Sequence, residues 1–221
     1  MMKTHRIELN LPMKFGSVNC YLLERDSEFI LIDTGSTNQQ KELEKRLEEL
    51  GCRTGQLKLI ILTHGDFDHI GNAAYLRQKY NAKIAMHSDD IAMAEDGDMF
   101  SNRKKPLFLV QKIIPMFFGF GRNERFKPDI IIENESDVPH LGFSPKIISI
   151  PGHSMGSIGI LMENGDFFCG DLLENTEVPR LNSIMDDINS AKESVEILKN
   201  HEIKMIYPGH GKPFNLEQLQ I

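Results

Sequence analysis

Residues 59–69 of the chain read LIILTHGDFDH, an apolar run followed at once by a cluster of polar side chains. The run Leu59–Leu62 predicts a strand buried on both faces, as in a parallel sheet. Four potential metal ligands then fall within six residues: His64, Asp66, Asp68 and His69. Imidazole and carboxylate groups together suit zinc, iron or manganese. The stretch therefore predicts a metal site at a strand end, and a solvated polar loop is the alternative.

The same design recurs further along the chain. Apolar runs end in Pro-Gly-His at 151–153 and at 208–210, and the run 167–169 is followed by Gly-Asp. Glycine lets the backbone turn sharply, so that the next side chain projects from a rigid strand end. Loops at strand ends on one edge of a sheet are where α/β proteins build sites. We therefore expect three further residues to join the first cluster: His153, Asp171 and His210.

Strand-like and helix-like patterns alternate over most of the chain. The strand-like runs are 29–32, 59–62, 82–86, 146–150, 157–162, 167–169 and 203–207. Apolar residues at helical spacing predict helices after Ser36, over 72–80 and from Ile184 to Leu198. Asn72 is expected to cap the second of these helices. The order predicts an α/β protein, and 221 residues fit a single domain spanning 1–221.

The segment 88–128 breaks this alternation and is rich in Met, Phe and Lys. We interpret it as a hydrophobic insertion that forms a partly helical lid, which favours a substrate with an apolar or acyl portion. The alternative is that it packs as core or as a contact of a homo-oligomer. Arg103, followed by two lysines, gives a weaker third alternative, attachment to a membrane surface.

Composition limits the partners of the protein. The 25 Lys plus Arg and 32 Asp plus Glu give a net charge of −7. This argues against nucleic acid, since phosphate binding needs a basic face. The three cysteines, at 20, 52 and 169, form no close pair and suit a reducing compartment. Because no secretory signal and no apolar stretch of about 20 residues is seen, we expect a cytoplasmic protein without a membrane span that acts on a small molecule.

The motif His64-x-Asp66-x-Asp68-His69, with His153, Asp171 and His210, resembles the signature of the metallo-β-lactamase-fold hydrolase superfamily, in its glyoxalase II-like branch. The resemblance covers nearly the whole chain, from the Asp-Thr-Gly turn at 33–35 to Gly211. It implies a four-layer αβ/βα sandwich with a binuclear metal site between two mixed sheets. By the family pattern, one metal is held by His64, Asp66 and His153, and the other by Asp68, His69 and His210. Asp171 bridges the two metals.

Such a site implies metal-assisted hydrolysis, in which a metal-bound hydroxide attacks an ester, thioester or lactone. Asp68 is the candidate catalytic residue, because it could accept the proton of that water. Asp33 and His87 are expected to hydrogen-bond to the ligands and orient them. For Asp33 the alternative is a turn-forming role. For His87 the alternative is a hydrogen-bonded histidine at a strand end.

Asp66 departs from the family pattern, since most members carry His at its position. A third carboxylate lowers the positive charge of the site and shifts its preference from zinc toward iron or manganese. We therefore expect two divalent ions, zinc in the first place and iron or manganese as alternatives. The rival function is an iron-containing redox enzyme of the same fold, linked to persulfide or dioxygen. The absence of a CxxC pair counts against that rival.

Overall fold

The computed structural model describes residues 2–14, 16–103, 107–133, 138 and 142–219. Its strands are β1 (Lys3–Asn10), β2 (Ser17–Arg25), β3 (Glu28–Ile32), β4 (Leu57–Ile61), β5 (Lys83–His87), β6 (Ile130–Ile132), β7 (Lys146–Ser149), β8 (Ile158–Leu161), β9 (Asp166–Asn175), β10 (Arg180–Leu181) and β11 (Met205–Gly211). Its α-helices are α1 (Gln40–Glu49), α2 (Phe67–Ile70), α3 (Ala73–Tyr80), α4 (Ile91–Asp96), α5 (Phe108–Phe118) and α6 (Ile188–Leu198).

The strands form two mixed sheets. In the first, of order β1-β2-β3-β4-β5-β6, the pairs β1/β2 and β2/β3 are antiparallel and the pairs from β3 to β6 are parallel. In the second, of order β10-β9-β8-β7, the pairs are antiparallel, and β11 joins β9 as a parallel strand. β1 and β2, which the sequence patterns did not predict, close one edge of the first sheet.

Three clusters of buried apolar side chains define the layers. One joins the first sheet to α1 and α3 and includes Leu43 and Leu76. The second lies between the sheets and includes Ile30 and Ile160. The third joins the second sheet to α6 and includes Val195. The order helix, sheet, sheet, helix confirms the predicted α/β sandwich.

The helix expected from Ile184 begins later in the chain. Asp187 is its N-cap, and the carboxylate accepts the backbone N–H of Asn189 at 2.9 Å and of Ser190 at 3.2 Å. A cap of this kind fixes where the first turn starts. Ile184 therefore lies in the preceding loop, and the prediction that it belongs to the helix is wrong.

The expected capping role of Asn72 is also wrong. Asn72 stands at the N-terminal boundary of α3, but its side chain makes no capping hydrogen bond. Its Nδ2 instead donates to the carbonyls of Thr34 at 2.6 Å and Ser36 at 2.9 Å. Asn72 thereby ties the Asp-Thr-Gly turn to the end of the polar loop.

The insertion 88–128 distributes its apolar side chains among three environments. Four are buried: Ala94, Phe120 and Phe126 in the core beside the first sheet, and Met93. Five line a cleft: Met99, Phe100, Ile114, Phe117 and Phe118. Five are exposed: Leu107, Phe108, Leu109, Ile113 and Met116. Some residues of the insertion thus line the cleft and others pack in the core, while the lid interpretation stays a prediction; 104–106 lie outside the described part. Among the described residues, no helix has the length and apolarity that crossing a bilayer requires.

Candidate metal centre

Seven side chains predicted as ligands converge on one centre, which both sheets contribute to. The loop after β4 carries His64 and Asp66, and the short helix α2 carries Asp68 and His69. His153 follows β7, Asp171 lies within β9 and His210 within β11. Three groups have ligand atoms within 4.8 Å of one another: His64, Asp66 and His153; Asp68, His69 and His210; and His64, His69 and Asp171. We refer to the first group as site 1 and to the second as site 2. The third group places Asp171 against one ligand of each site.

Among the described residues, three buried atoms of the predicted ligands have no partner in hydrogen-bond geometry: Nε2 of His64, Nε2 of His69 and Oδ1 of Asp171, the last two lying 3.3 Å apart as an ion pair. Buried polar atoms in folded proteins are nearly always hydrogen-bonded, so each such atom needs a physical reason. Their closeness to one another is that reason, because a cation among them would give all three a partner. The donor set of imidazole nitrogens and carboxylate oxygens fits a divalent transition metal.

All four histidines present the same ring edge to the centre. Their Nδ1 atoms are paired with oxygens of Thr63, Asp33, Ile184 and Ser17, at 2.9, 2.9, 2.8 and 2.7 Å for His64, His69, His153 and His210 respectively. A ring that donates through Nδ1 is left with a lone pair on Nε2, the tautomer that binds a metal. The rings are therefore held in ligand orientation by the protein itself.

Asp33 orients two of these rings. Its Oδ2 is 2.9 Å from Nδ1 of His69 and also accepts the Thr63 hydroxyl at 2.8 Å. Because that hydroxyl donates to Asp33, it must accept from Nδ1 of His64. Asp33 is 2% exposed and has a left-handed backbone, φ 58°. The structure therefore places Asp33 behind the ligands, at a turn.

A glycine makes room for the centre beside His210. A Cβ built on Gly209 would lie 2.1 Å from Oδ1 of Asp171 and 2.8 Å from Cε1 of His69. The register of β11 shifts at Pro208, and the buried Asn19 of β2 donates to the Pro208 carbonyl at 2.9 Å. The prediction that the strand stops at Pro208 is therefore wrong, since it continues through a bulge held by the other sheet.

Arg103 is a member of the centre that sequence reasoning missed. Its Nη1 lies 2.5 Å from Oδ1 of Asp66, and its side chain is only 5% exposed. The interpretation of Arg103 as part of a membrane-attachment surface is therefore wrong. A guanidinium buried at this depth needs carboxylate partners, and Asp66 and Asp186 supply them.

Asp90 is a second missed residue, and it joins two ligand loops. Its Oδ2 accepts the backbone N–H of Gly65 at 2.9 Å and the hydroxyl of Ser154 at 2.6 Å. Its Oδ1 accepts the N–H of Gly156 at 3.0 Å and Nδ2 of Asn102, also at 3.0 Å. Asp90 is fully buried. It fixes the loop of His64 to the loop of His153.

The contacts of His87 are local. Its Nδ1 accepts the backbone N–H of Asp89 at 3.2 Å, which caps a 3-10 turn over Ser88–Asp90. This matches the strand-end alternative. The expected hydrogen bond from His87 to a metal ligand is not among the contacts of the described residues.

The three cysteines are buried and belong to none of the three ligand groups. Cys20, Cys52 and Cys169 are free thiols in the core. Burial raises the pKa of the Cys169 thiol, next to Gly170 and Asp171, well above its ordinary value. A protonated thiol is a poor nucleophile and ligand.

The charges of the centre shift one another's pKa. Burial lowers the pKa of His210, but the carboxylates of Asp171 and Asp68 together raise it to about 9. Burial also lowers the pKa of His69, but the carboxylates of Asp171 and Asp33 contribute to raising it well above its usual range. Against the effect of burial, these imidazoles hold the pKa of Asp171 well below its usual range. Without a metal, His69 and His210 are thus held protonated and Asp171 ionised, whereas burial holds the pKa of His64 well below its usual range.

A cleft of about 640 Å³ opens onto these residues. Its apolar walls come from the insertion and from two loops that contribute Leu11 and Ile184. Asp66, Asp68, His153, Asp171 and His210 lie at its polar end. A mainly apolar cleft with a few convergent polar groups is the usual form of a small-molecule site.

Comparison with known proteins agrees with this geometry. A hydroxyacylglutathione hydrolase, GloC, of Haemophilus influenzae is 28% identical over 208 residues, covering 91% of this chain and 89% of the relative. A probable metallo-hydrolase of Methanocaldococcus jannaschii is 27% identical, covering 89% of this chain and 88% of the relative. The crystal structure of ST1585 from Sulfolobus tokodaii, a metallo-beta-lactamase superfamily protein, superposes with a TM-score of 0.73 at 21% identity, covering 97% of this chain and 82% of that one. TTHA1623 in a di-iron-bound form gives a TM-score of 0.71 at 24% identity, covering 97% and 96%.

The family assignment follows from a profile match. The family model described as metallo-beta-lactamase superfamily matches residues 13–210, which include all seven side chains of the centre. The chain belongs to the metallo-beta-lactamase superfamily.

Proposed function

We propose that the protein is a metal-dependent hydrolase of an ester, thioester or lactone with an apolar acyl portion, working with two divalent cations. The observation that carries the proposal is the set of three overlapping ligand groups with unpartnered buried atoms at their meeting point. Site 1 and site 2 would each hold one cation through three side chains, and Asp171 would contact both. The hydrolase names of relatives that align over about nine-tenths of the chain support the same reading.

Two bound cations would supply an activated water as nucleophile and would polarise the substrate carbonyl. The chain's own residues provide the remaining functions. The oriented imidazoles and carboxylates fix the positions of charge before the substrate arrives, so that no reorganisation is needed during the reaction. The apolar walls of the cleft exclude water from the acyl group.

Asp68 is the candidate proton acceptor. Its Oδ2 lies 3.6 Å from Nε2 of His210 and 3.9 Å from Nε2 of His69. Burial raises the pKa of Asp68, which brings this carboxylate closer to the range of a useful general base. With one oxygen toward site 2, the carboxylate can receive a proton from the attacking water.

The cleft favours an uncharged substrate. Among the described residues that line it, Arg103 is the single Lys or Arg, and its guanidinium is already paired with Asp66 and Asp186. A thioester of glutathione carries carboxylates that such a lining leaves without a cation. We therefore expect acyl thioesters with a neutral thiol portion, and lactones with an apolar chain, to be better substrates than hydroxyacylglutathione.

The test is a matched substrate series on metal-free and reconstituted protein. One acyl group is presented on glutathione and on neutral N-acetylcysteamine, and acyl length is varied on the neutral thiol. We expect hydrolysis that vanishes on chelation, returns with zinc or manganese, and has the higher kcat/KM on neutral thioesters with longer chains. Hydrolysis that persists without metal would contradict the proposal.

The third carboxylate, Asp66, keeps an iron-dependent redox reaction as the second candidate, because oxygen ligands suit harder metals. The hydrolase would consume an ester, thioester or lactone, whereas the redox enzyme would consume dioxygen and a persulfide. Iron-loaded protein that takes up dioxygen with a persulfide and hydrolyses no member of the substrate series would establish the second candidate instead.

A further inference from the structure

The two oxygens of the Asp66 carboxylate face different partners. Oδ2 is turned to site 1, where it lies 3.0 Å from Nε2 of His153 and 3.8 Å from Nε2 of His64. Oδ1 is turned away and lies 2.5 Å from Nη1 of Arg103. Only one oxygen is therefore presented to a cation, as in an imidazole ring that presents one nitrogen. Oδ2 of Asp66 is thus available to a cation at site 1, while Oδ1 is bound by Arg103.

Arg103 is itself held in place from two further directions. Its Nε lies 2.7 Å from Oδ2 of Asp186, and its Nη2 donates to the backbone carbonyl of His153 at 3.2 Å. These contacts fix the guanidinium against two residues of site 1 at once, Asp66 and His153. A planar guanidinium with several fixed donors suits this task in a way that a lysine ammonium does not.

The charges of this pair cancel. Asp66 brings one negative charge to a position where the resembled family has a neutral imidazole, and Arg103 brings one positive charge to the same place. Burial acts to raise the pKa of Asp66, but the guanidinium and His153 hold it well below its usual range, so the carboxylate stays ionised. Taken together, Asp66 and Arg103 add no net charge, as a neutral histidine would add none. Asp186, the second carboxylate paired with Arg103, has the more exposed side chain, 37% against 11% for Asp66.

We propose that Arg103 is a positioning residue for site 1: it restricts Asp66 to a single metal-binding oxygen and compensates the charge of that carboxylate. The inference rests on the two-cation centre proposed above. It assigns a function to the insertion 88–128 beyond covering the cleft, since this segment completes the surroundings of site 1 from about 37 residues away in sequence.

The proposal makes the two residues depend on each other. If Asp66 is replaced by a neutral residue, Arg103 loses one of the two carboxylates it is paired with. Its positive charge then repels a divalent cation at site 1. A change of Asp66 to histidine, the residue of the resembled family, should then weaken metal binding while Arg103 is present. Removal of Arg103 in the same chain should restore it.

The experiment is a double-mutant cycle on zinc affinity, measured by competition with a chromophoric chelator on metal-free protein. The variants are Asp66→His, Arg103→Met and the double variant, with the pair Asp66→Asn and Asp66→Asn/Arg103→Met as a near-isosteric repeat. Arg77→Met, which removes an arginine paired with Asp129 on another surface, is the matched control. Circular dichroism and thermal melts show which variants keep the fold.

We expect Asp66→His to weaken the affected zinc site by about tenfold or more, and the double variant to regain at least about tenfold over Asp66→His. With Co²⁺, Arg103→Met should alter the visible absorption of site 1, because Asp66 is then free to bind through either oxygen. A merely structural arginine would not produce this coupling or this spectral change.

Additive effects of the two substitutions, with coupling below about threefold in both the His and the Asn series, would overturn the role of Arg103. An unchanged Co²⁺ spectrum in Arg103→Met would do the same. If the unaltered protein binds no metal at all, the two-cation proposal fails, and that result is distinct from both others.

Discussion

Oδ2 of Asp33 lies 2.9 Å from Nδ1 of His69, and it belongs to a carboxylate that also accepts both the backbone N–H and the hydroxyl of Thr63. This relationship joins the turn after β3 to the loop after β4, at neighbouring parallel strands. Through the Thr63 hydroxyl it reaches His64 as well. One buried carboxylate thus sets the ring orientation of a ligand in each of the two sites.

Asp33→Asn should weaken metal binding without unfolding the protein. Asparagine tolerates the left-handed backbone of this position, but it offers one acceptor oxygen where Asp33 uses two. We expect zinc affinity to fall about 10–100-fold. Competition titration measures the change. Asp129→Asn, which alters a carboxylate that accepts the N–H of Ile84 at 2.9 Å, is the control and should keep full affinity.

Asp171→Ala should remove both cations together. The carboxylate lies 3.3 Å from Nε2 of His69 and 3.2 Å from Nε2 of His210, and it groups with His64 as well. Metal analysis by plasma emission after dialysis against dilute zinc gives the stoichiometry. Glu174→Ala, on the same strand and paired with Arg180, should retain both metals. A variant at 171 that keeps one full equivalent would show that Asp171 does not bridge.

Metal binding should release protons. Against the effect of burial, carboxylates raise the pKa of His69 well above its ordinary value and that of His210 to about 9, so these two rings carry protons at pH 7 in the metal-free protein. A cation displaces those protons, and the apparent affinity therefore rises as the pH rises. Calorimetric titration in two buffers of different ionisation enthalpy should give roughly one released proton or more per metal. A binding enthalpy independent of the buffer would argue against this charge state.

Asp90→Ala should destabilise the metal-free protein strongly. The substitution leaves the buried backbone N–H groups of Gly65 and Gly156 without their acceptor. It also removes one partner each from Nδ2 of Asn102 and the Ser154 hydroxyl, which keep the Asp89 carbonyl and the Ser157 hydroxyl. Each unsatisfied buried donor costs about 1–3 kcal/mol, so we expect the free energy of unfolding to fall by about 3 kcal/mol or more. Urea denaturation measures it. Asp89→Ala, whose side chain is 52% exposed, should change it by less than about 0.5 kcal/mol.

Much of the fold could be predicted because its signals are local. The runs before His64, His153 and His210 are short, apolar and ended by glycine or a polar turn, and such patterns mark strand ends whatever the rest of the chain does. His64, His153 and His210 could be grouped from the sequence because each follows an apolar run at or near its end. The same expectation fails in detail for Asp171, since β9 continues past it to Asn175. The structure brings all seven within one centre.

The residues that sequence reasoning missed have hydrogen-bond partners that are distant in the sequence. Asp90 and Gly65 are 25 residues apart, and Arg103 and Asp66 are 37 apart. Neither Asp90 nor Arg103 belongs to a periodic pattern of apolar residues. A charged residue in an apolar insertion is usually expected to lie on the protein surface. Arg103 could be assigned only once the path of the insertion was known.

Local chemistry also decided where predicted elements began. The Asp187 cap could have been found, because an aspartate directly before the apolar periodicity of α6 is a start signal. The hydrogen bonds of Asn72 could not, since its partners at Thr34 and Ser36 lie in another turn. Competition between local capping and a tertiary partner is settled only by the folded chain.

Anomalous scattering from a zinc-loaded crystal tests the central claim most directly. The account predicts two peaks roughly 3.5–4 Å apart. One zinc ion should be coordinated by Nε2 of His64, Nε2 of His153 and Oδ2 of Asp66. The other should be coordinated by Asp68, His69 and His210, with Asp171 between the two ions. A single peak, or metal bound elsewhere while these seven side chains pair only with one another, would contradict it.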